Sequence, residues 1–235
     1  MGNFRVFDGH DTENFASALL VLAMRQSKEF ARKFLNLVLR KSNAPPIEDS
    51  APIELEVERN RTIYRGHWTA SRYPDISIEA KVNNNSYLVL VEAKIGALEQ
   101  PGQIPAYLEW LDSEHRTTKL LATLTTSERK WQAKPHCRLF WREVEYEVQR
   151  MVSQAQSDFE RSFWQQLKKY VEGVMQTFTG FSASFSDIHG LMRDVDLFLL
   201  DLLRAMALEK WNSSWNADRA AYWVPSLRAT IGFYW

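Results

Sequence analysis

Residues 73–94 read YPDISIEAKVNNNSYLVLVEAK. Two runs of strand-forming residues flank a polar centre, Asn83, Asn84, Asn85 and Ser86. Asparagine tolerates the left-handed backbone that tight turns demand, so this spacing predicts a β-hairpin. The first strand opens on Pro74 and Asp75. The second is apolar over 87–91 and closes on Glu92, Ala93 and Lys94. Side chains alternate across a strand, which sets Glu92 and Lys94 on one face and Val91 and Ala93 on the other. A strand covered on both sides should be apolar throughout. A carboxylate and an ammonium at its tail are costly to bury unless they are paired or bind something.

Upstream, Asp11 or Thr12 can cap a helix whose first turn holds Glu13, a favourable place for a carboxylate. Apolar residues recur at helical spacing from Phe15 through Leu19, Leu22, Phe30, Phe34, Leu37 and Val38, predicting one helix over 11–40. Arg25, Lys28 and Arg32 lie on one of its faces and read as a solvated stripe. The loop with Pro45 and Pro46 follows. Residues 53–65, IELEVERNRTIYR, alternate like a strand with a break near Asn60. Glu54, Glu56 and Glu58 share a face there. The plain reading is a half-exposed strand, and the functional one places a glutamate in a metal site.

Downstream, Pro101-Gly102 breaks the chain and Pro105 suits the first turn of a helix that carries Tyr107, Leu108 and Leu111 and ends near Ser113. Residues 118–125 read as a buried strand, 138–141 as another, and 143–155 as a helix. The order is helix, strand, hairpin, helix, strand, strand, helix, which predicts an α/β core around a mixed sheet. Beyond 156 the pattern turns helical. Phe159, Phe163, Leu167 and Tyr170 mark one helix, and Ile188, Leu191, Val195, Phe198, Leu199 and Leu202 mark another. A Trp-rich tail ends in TIGFYW, which reads as a strand over 230–235. We divide the chain into a core, 1–155, and a mainly helical extension, 156–235, packed on it.

The chain has 235 residues, with 29 basic and 29 acidic side chains. The balance argues against non-specific nucleic-acid binding through bulk charge and leaves local patches open. The single cysteine, Cys137, excludes an internal disulfide and fits a reducing compartment. With no long apolar run, the expectation is a soluble cytoplasmic protein. There is no phosphate-binding Gly-rich loop, zinc-protease helix, paired Cys-x-x-Cys or Gly-x-Ser-x-Gly elbow. What remains is Asp75, Glu92 and Lys94, which the hairpin brings together. Two carboxylates suit a hard cation such as magnesium, which keeps several waters. A lysine beside them adds a compact positive charge for a phosphate or an attacking water.

Pro74-Asp75 followed by Glu92-Ala93-Lys94 on an apolar strand resembles the PD-(D/E)XK nuclease superfamily. Gln103 and Tyr107 match the Gln-x-x-x-Tyr helix motif of many members, and Glu13 matches an acidic residue on their first helix. The resemblance covers about residues 11–155 and implies a restriction-endonuclease-like fold. It implies that Asp75, Glu92 and the carbonyl of Ala93 bind Mg or Mn. Lys94 would be the catalytic lysine, Glu13 a further metal or water ligand, and Gln103 and Tyr107 supporting or substrate-contacting residues. The activity implied is metal-dependent phosphodiester hydrolysis in nucleic acid, DNA foremost, in defence against foreign DNA or in repair. A homo-oligomer or a protein partner stays open. Two other readings stand beside it. Asp75 would be a turn residue and Glu92 with Lys94 an ordinary pair at a strand end. Otherwise the fold would be a catalytically inactive binding or assembly module.

Overall fold

The structure, a computed structural model, describes residues 9–66, 68, 70–95 and 98–178. In chain order the elements are α1 (Gly9–Gln26), α2 (Lys28–Lys41), β1 (Glu54–Arg59), β2 (Ile76–Val82), β3 (Asn85–Lys94), α3 (Gln103–Ser113), β4 (Thr118–Thr125), β5 (Cys137–Phe140), α4 (Trp141–Gln154) and α5 (Asp158–Phe178). The strands form one sheet in the order β1-β2-β3-β4-β5. The first three are antiparallel, whereas β4 runs parallel to β3 and β5 parallel to β4. This is the mixed α/β sheet expected of a restriction-endonuclease-like core.

The hairpin forms as its residues dictate. Val82 pairs with Asn85, leaving Asn83 and Asn84 as the turn, and Asn83 takes a φ of 52° that asparagine accepts readily. β3 is the central strand and is buried on both faces. Val89, Val91 and Ala93 face a large core shared with α1, α2, α4 and α5, while Leu88 and Leu90 face a smaller one with Ile104, Tyr107 and Leu111 of α3 and Leu121 of β4. The layers are therefore four helices, the sheet, and α3. The helix marked by Phe163, Leu167 and Tyr170 belongs to the larger core. Phe15 and Tyr170 meet edge to face at 5.1 Å, and the rings of Phe30 and Trp164 lie 5.1 Å apart.

Two expectations need correction and one a qualification. The helix predicted over 11–40 is two helices. Ser27 leaves the helical conformation (φ −128°, ψ 106°), and its hydroxyl accepts the Phe30 N–H at 3.1 Å as the N-cap of α2. Apolar periodicity runs through the break, so only the cap chemistry marks it. The stripe of Arg25, Lys28 and Arg32 is solvated, with Arg25 and Lys28 exposed and Arg32 half-buried, but its arginines also anchor neighbouring carbonyls. Arg25 Nε donates to the Val57 carbonyl at 2.8 Å, and Arg32 donates to the carbonyls of Glu48 and Ala51, each at 2.8 Å. The break expected near Asn60 is there, at a φ of 52°, but the strand over 53–65 ends at it, with Arg59, and does not resume. Beyond it the chain makes only an isolated bridge, Ile63 with Arg72. The helix marked by Ile188 to Leu202 and the strand expected over 230–235 lie outside the described residues.

Among the described residues no helix is long and apolar enough to cross a membrane.

Candidate active site

The hairpin register builds the site. Ile76 pairs with Val91, so one step on, Asp75 sits opposite Glu92 at the end of β2. The carboxylate of Asp75 turns back onto the neighbouring strand, where its Oδ2 accepts the Ala93 N–H at 2.8 Å. A further step would set position 74 against Ala93. A residue there would ordinarily give its N–H to the Ala93 carbonyl, but Pro74 has none to give. The ladder ends at Ile76, and the proline two residues before it has no N–H with which to extend it.

Glu92 is 1% exposed. Its Oε1 accepts from Lys94 Nζ at 2.7 Å and from Gln103 Nε2 at 2.7 Å. The other oxygen, Oε2, is buried and has no hydrogen-bond partner. An orphaned carboxylate oxygen is costly unless something outside the protein occupies it. Gln103 opens α3, and the same amide nitrogen donates to the Tyr107 hydroxyl at 3.1 Å one turn on. The spacing Gln-x-x-x-Tyr therefore stacks both side chains over Glu92 and holds its carboxylate in one orientation.

Glu13 arrives from α1. Its Oε2 lies 3.3 Å from Lys94 Nζ, and its Oε1 accepts the Ile95 N–H at 2.8 Å. Glu13 is 2% and Lys94 5% exposed. The structure thus brings together Asp75, Glu92, Ala93, Lys94, Glu13, Gln103 and Tyr107. It keeps Glu54, Glu56 and Glu58 apart from them, on the outer strand β1. Glu58 is instead joined through Arg61 to Glu79, which also pairs with Arg116 at 2.5 Å. The plain reading of those glutamates holds.

The electrostatics follow from setting two buried carboxylates, Glu13 and Glu92, and the half-buried Asp75 near one lysine. Burial raises the pKa of Glu92 to about 8, with Asp75 adding to the rise and Lys94 opposing it. Burial likewise raises Asp75 to about 6, against the pull of Lys94, the Ala93 N–H and Arg59. Burial alone would lower the pKa of Lys94, but Glu92, Glu13 and Asp75 outweigh it and the net shift is upward, so the ammonium stays charged. Burial and the neighbouring Glu92 push the Tyr107 hydroxyl up, keeping it a neutral donor.

Three neighbours were not singled out from sequence. Arg59 ends β1 opposite Ile76, where its charge is felt by Asp75, and its NH2 donates to Asn14 Oδ1 at 3.0 Å. Thr123 pairs with Glu92 across the β3–β4 ladder, and its buried Oγ1 has no partner. Arg129 donates to the Ile95 carbonyl at 3.2 Å, beyond the end of β3. The register of the sheet could have shown Arg59 and Thr123, once the strand order was known. No local motif signals Arg129.

A hard divalent cation fits this donor set. Among the described residues no three His, Cys, Asp or Glu side chains form a closed cage. Magnesium does not need one, since it binds through one or two carboxylates and keeps waters and substrate phosphates as its other ligands. The orphaned Oε2 of Glu92, the Asp75 carboxylate and the Ala93 carbonyl are hard oxygen donors of that kind.

A mixed five-stranded sheet, with an acidic hairpin and a buried lysine closing its central strand, defines a restriction-endonuclease-like protein. The sequence profile of the PD-(D/E)XK nuclease superfamily matches residues 2–177. The chain belongs to that superfamily, whose members are nucleases that generally use divalent metals. Neither a curated protein nor a solved structure matches the chain.

Proposed function

We propose that the chain is a magnesium- or manganese-dependent nuclease that hydrolyses phosphodiester bonds in DNA, serving defence against foreign DNA or repair. The observation that carries this reading is the meeting of the half-buried Asp75 with the buried Glu92 and Lys94 at the end of β3, with one oxygen of Glu92 left without a partner. Asp75, Glu92 and the Ala93 carbonyl would hold the cation. When bound, it polarises the scissile phosphate and lowers the pKa of a water.

The chain's own residues do the rest. Lys94 stays protonated among its carboxylates, so it serves as a cation and donor toward a phosphate oxygen or the attacking water, not as a base. Both oxygens of Glu13 are engaged with protein donors, Lys94 Nζ and the Ile95 N–H. We therefore assign Glu13 the role of positioning Lys94. Gln103 holds Glu92 Oε1, which would leave Oε2 to a bound cation, and Tyr107 fixes Gln103. In the reaction the water oxygen bonds to phosphorus as a P–O ester bond breaks. The water's proton goes to solvent, and the leaving oxygen takes one up.

The test is cleavage of linear, circular and single-stranded DNA, and of RNA, with magnesium, manganese or a chelator. Cleavage of DNA that needs the metal is expected. Asp75→Ala, Glu92→Ala and Lys94→Ala should each reduce it by about a hundredfold or more while the fold persists. Metal binding with no cleavage of any nucleic acid would instead make the chain a binding module. Near wild-type cleavage in all three variants would refute the assignment.

A further inference from the structure

The loop that carries the chain from β1 to Asp75 departs from the neutral balance of the whole. Between residues 60 and 74 there are three arginines, Arg61, Arg65 and Arg72, and no Asp or Glu. Three aromatics are interleaved with them: Tyr64 and Tyr73, each 54% exposed, and the half-buried Trp68. Between this loop and the start of α3 lies a cleft of about 360 Å³, lined by Trp68, Ala70, Arg72, Pro105, Ala106 and Glu109. Arg72 is three residues from Asp75, at most about 11 Å along the chain. Pro105 and Ala106 lie in the first turn of α3, which Gln103 opens. The cleft therefore lies next along the chain to both Asp75 and Gln103.

Its charges are already sorted. Glu109 is held by Arg65, whose NH1 lies 3.6 Å from Oε1, and by Trp68, whose Nε1 donates to Oε2 at 3.2 Å. The carboxylate is neutralised, and the indole is fixed by its own N–H. Arg61 is committed to Glu58 and Glu79. Arg72 differs. Among the described residues its guanidinium makes no ion pair, and its Nε is buried without a hydrogen-bond partner. A half-buried indole and a guanidinium without an ion pair line one nucleotide-sized space, which suits a base and its phosphate.

We propose that this cleft seats one unpaired nucleotide of the substrate, with its base on Trp68 and its phosphate on Arg72. A base inside a duplex has both faces covered by its neighbours. Only an unpaired base offers a free face to an aromatic ring. The substrate class is thus a single strand, or a duplex end opened at the cut. This deepens the nuclease reading and rests on it.

The test is fluorescence anisotropy with labelled twelve-nucleotide oligothymidylate, oligouridylate and a twelve-base-pair duplex, in a chelator so that nothing is cut. The wild-type chain should bind a single strand about tenfold more tightly than the duplex. Arg72→Gln should weaken single-strand binding about tenfold and reduce the salt slope by about 0.7, as expected for one lost phosphate contact on a single strand. Ala70→Leu, which fills the cleft from an exposed position, should weaken the same binding and leave the duplex unaffected. If one variant fails to fold, the other decides. Tighter binding of oligothymidylate than of oligouridylate supports a DNA strand as occupant; the reverse supports RNA in the same seat. Equal affinity for single strand and duplex, or unaltered single-strand binding in the folded variants, overturns the proposal. Failure of the nuclease reading shows separately, as single-strand binding without metal-dependent cleavage.

Discussion

Gln103 and Glu92 are joined by a 2.7 Å hydrogen bond between helix α3 and strand β3, made to the oxygen of Glu92 that also takes Lys94. That bond decides which way the free oxygen of the carboxylate faces. Gln103→Ala should therefore weaken manganese binding by about 10–100-fold, the usual effect of removing a group that orients a ligand. Calorimetric titration checks this. Undiminished affinity would show that Glu92 is oriented without Gln103.

Glu13 and Lys94 lie 81 residues apart in sequence and 3.3 Å apart in space. Glu13→Gln keeps an acceptor for the Ile95 N–H but removes one of the carboxylates that hold the lysine. Breaking a buried pair costs about 3–5 kcal/mol when the remaining charge is stranded. Lys94 retains Glu92, so the expected loss is smaller, about 1–3 kcal/mol, as for a hydrogen bond to a charged group. Cleavage should fall while manganese affinity holds. Urea denaturation and calorimetry on the same variant separate the two effects. A large loss of metal affinity would make Glu13 a ligand after all.

These contacts show what the sequence could and could not disclose. The hairpin was legible because asparagines at the turn and β-formers on either side act locally. So was the pairing of Glu92 with Lys94, since strand alternation alone puts them on one face. The break at Ser27 was hidden because apolar residues continue at helical spacing across it, and a single hydroxyl decides the matter. Arg59 and Thr123 were hidden for a different reason. Their place beside Asp75 and Glu92 comes from how β1 and β4 register against the hairpin, which no local pattern encodes. The arginines and aromatics over 60–74 carry no local signal of a cleft, because 60–65 alternate like a strand and only the fold sets the segment against α3.

Metal binding should depend steeply on pH. Glu92 titrates near 8 and Asp75 near 6 in the folded chain, against 4.5 and 3.8 for the free side chains. Between the free and folded values the folded state holds more protons than the unfolded one. Without metal, stability therefore falls as pH rises, from about 4 to about 8. A cation needs the ionised carboxylates and must displace those protons. Manganese affinity should rise between pH 6 and 8 and level off above, with proton release visible as a buffer-dependent heat of binding. Affinity flat across that range would show that both carboxylates are already ionised.

Ser27→Ala offers a control on the scaffold. The Ser27 hydroxyl caps α2 by accepting the Phe30 N–H, and its loss should cost about 0.5–2 kcal/mol. Ser27 makes no contact with the candidate site residues, so metal affinity should be unchanged. Urea denaturation and manganese titration read the two quantities. A coupled fall in metal affinity would show that the junction of α1 and α2 governs the position of Glu13.

Pro74 gives the sharpest test of how the hairpin prepares its backbone. If the ladder ran on past Ile76, position 74 would fall opposite Ala93, where any residue but proline could offer an N–H to the Ala93 carbonyl. Pro74→Ala restores that donor. The extra hydrogen bond should add about 0.5–1.5 kcal/mol, and losing the proline's restraint on the unfolded chain should remove about 0.4–1 kcal/mol. Stability should therefore change little. Manganese affinity should fall several-fold, because the carbonyl that would face the cation is now engaged by its neighbour. Stability and affinity measured on the one variant distinguish the explanations. A variant equally stable and with full affinity would show that the Ala93 carbonyl takes no part in binding the metal, and that Asp75 and Glu92 hold it alone.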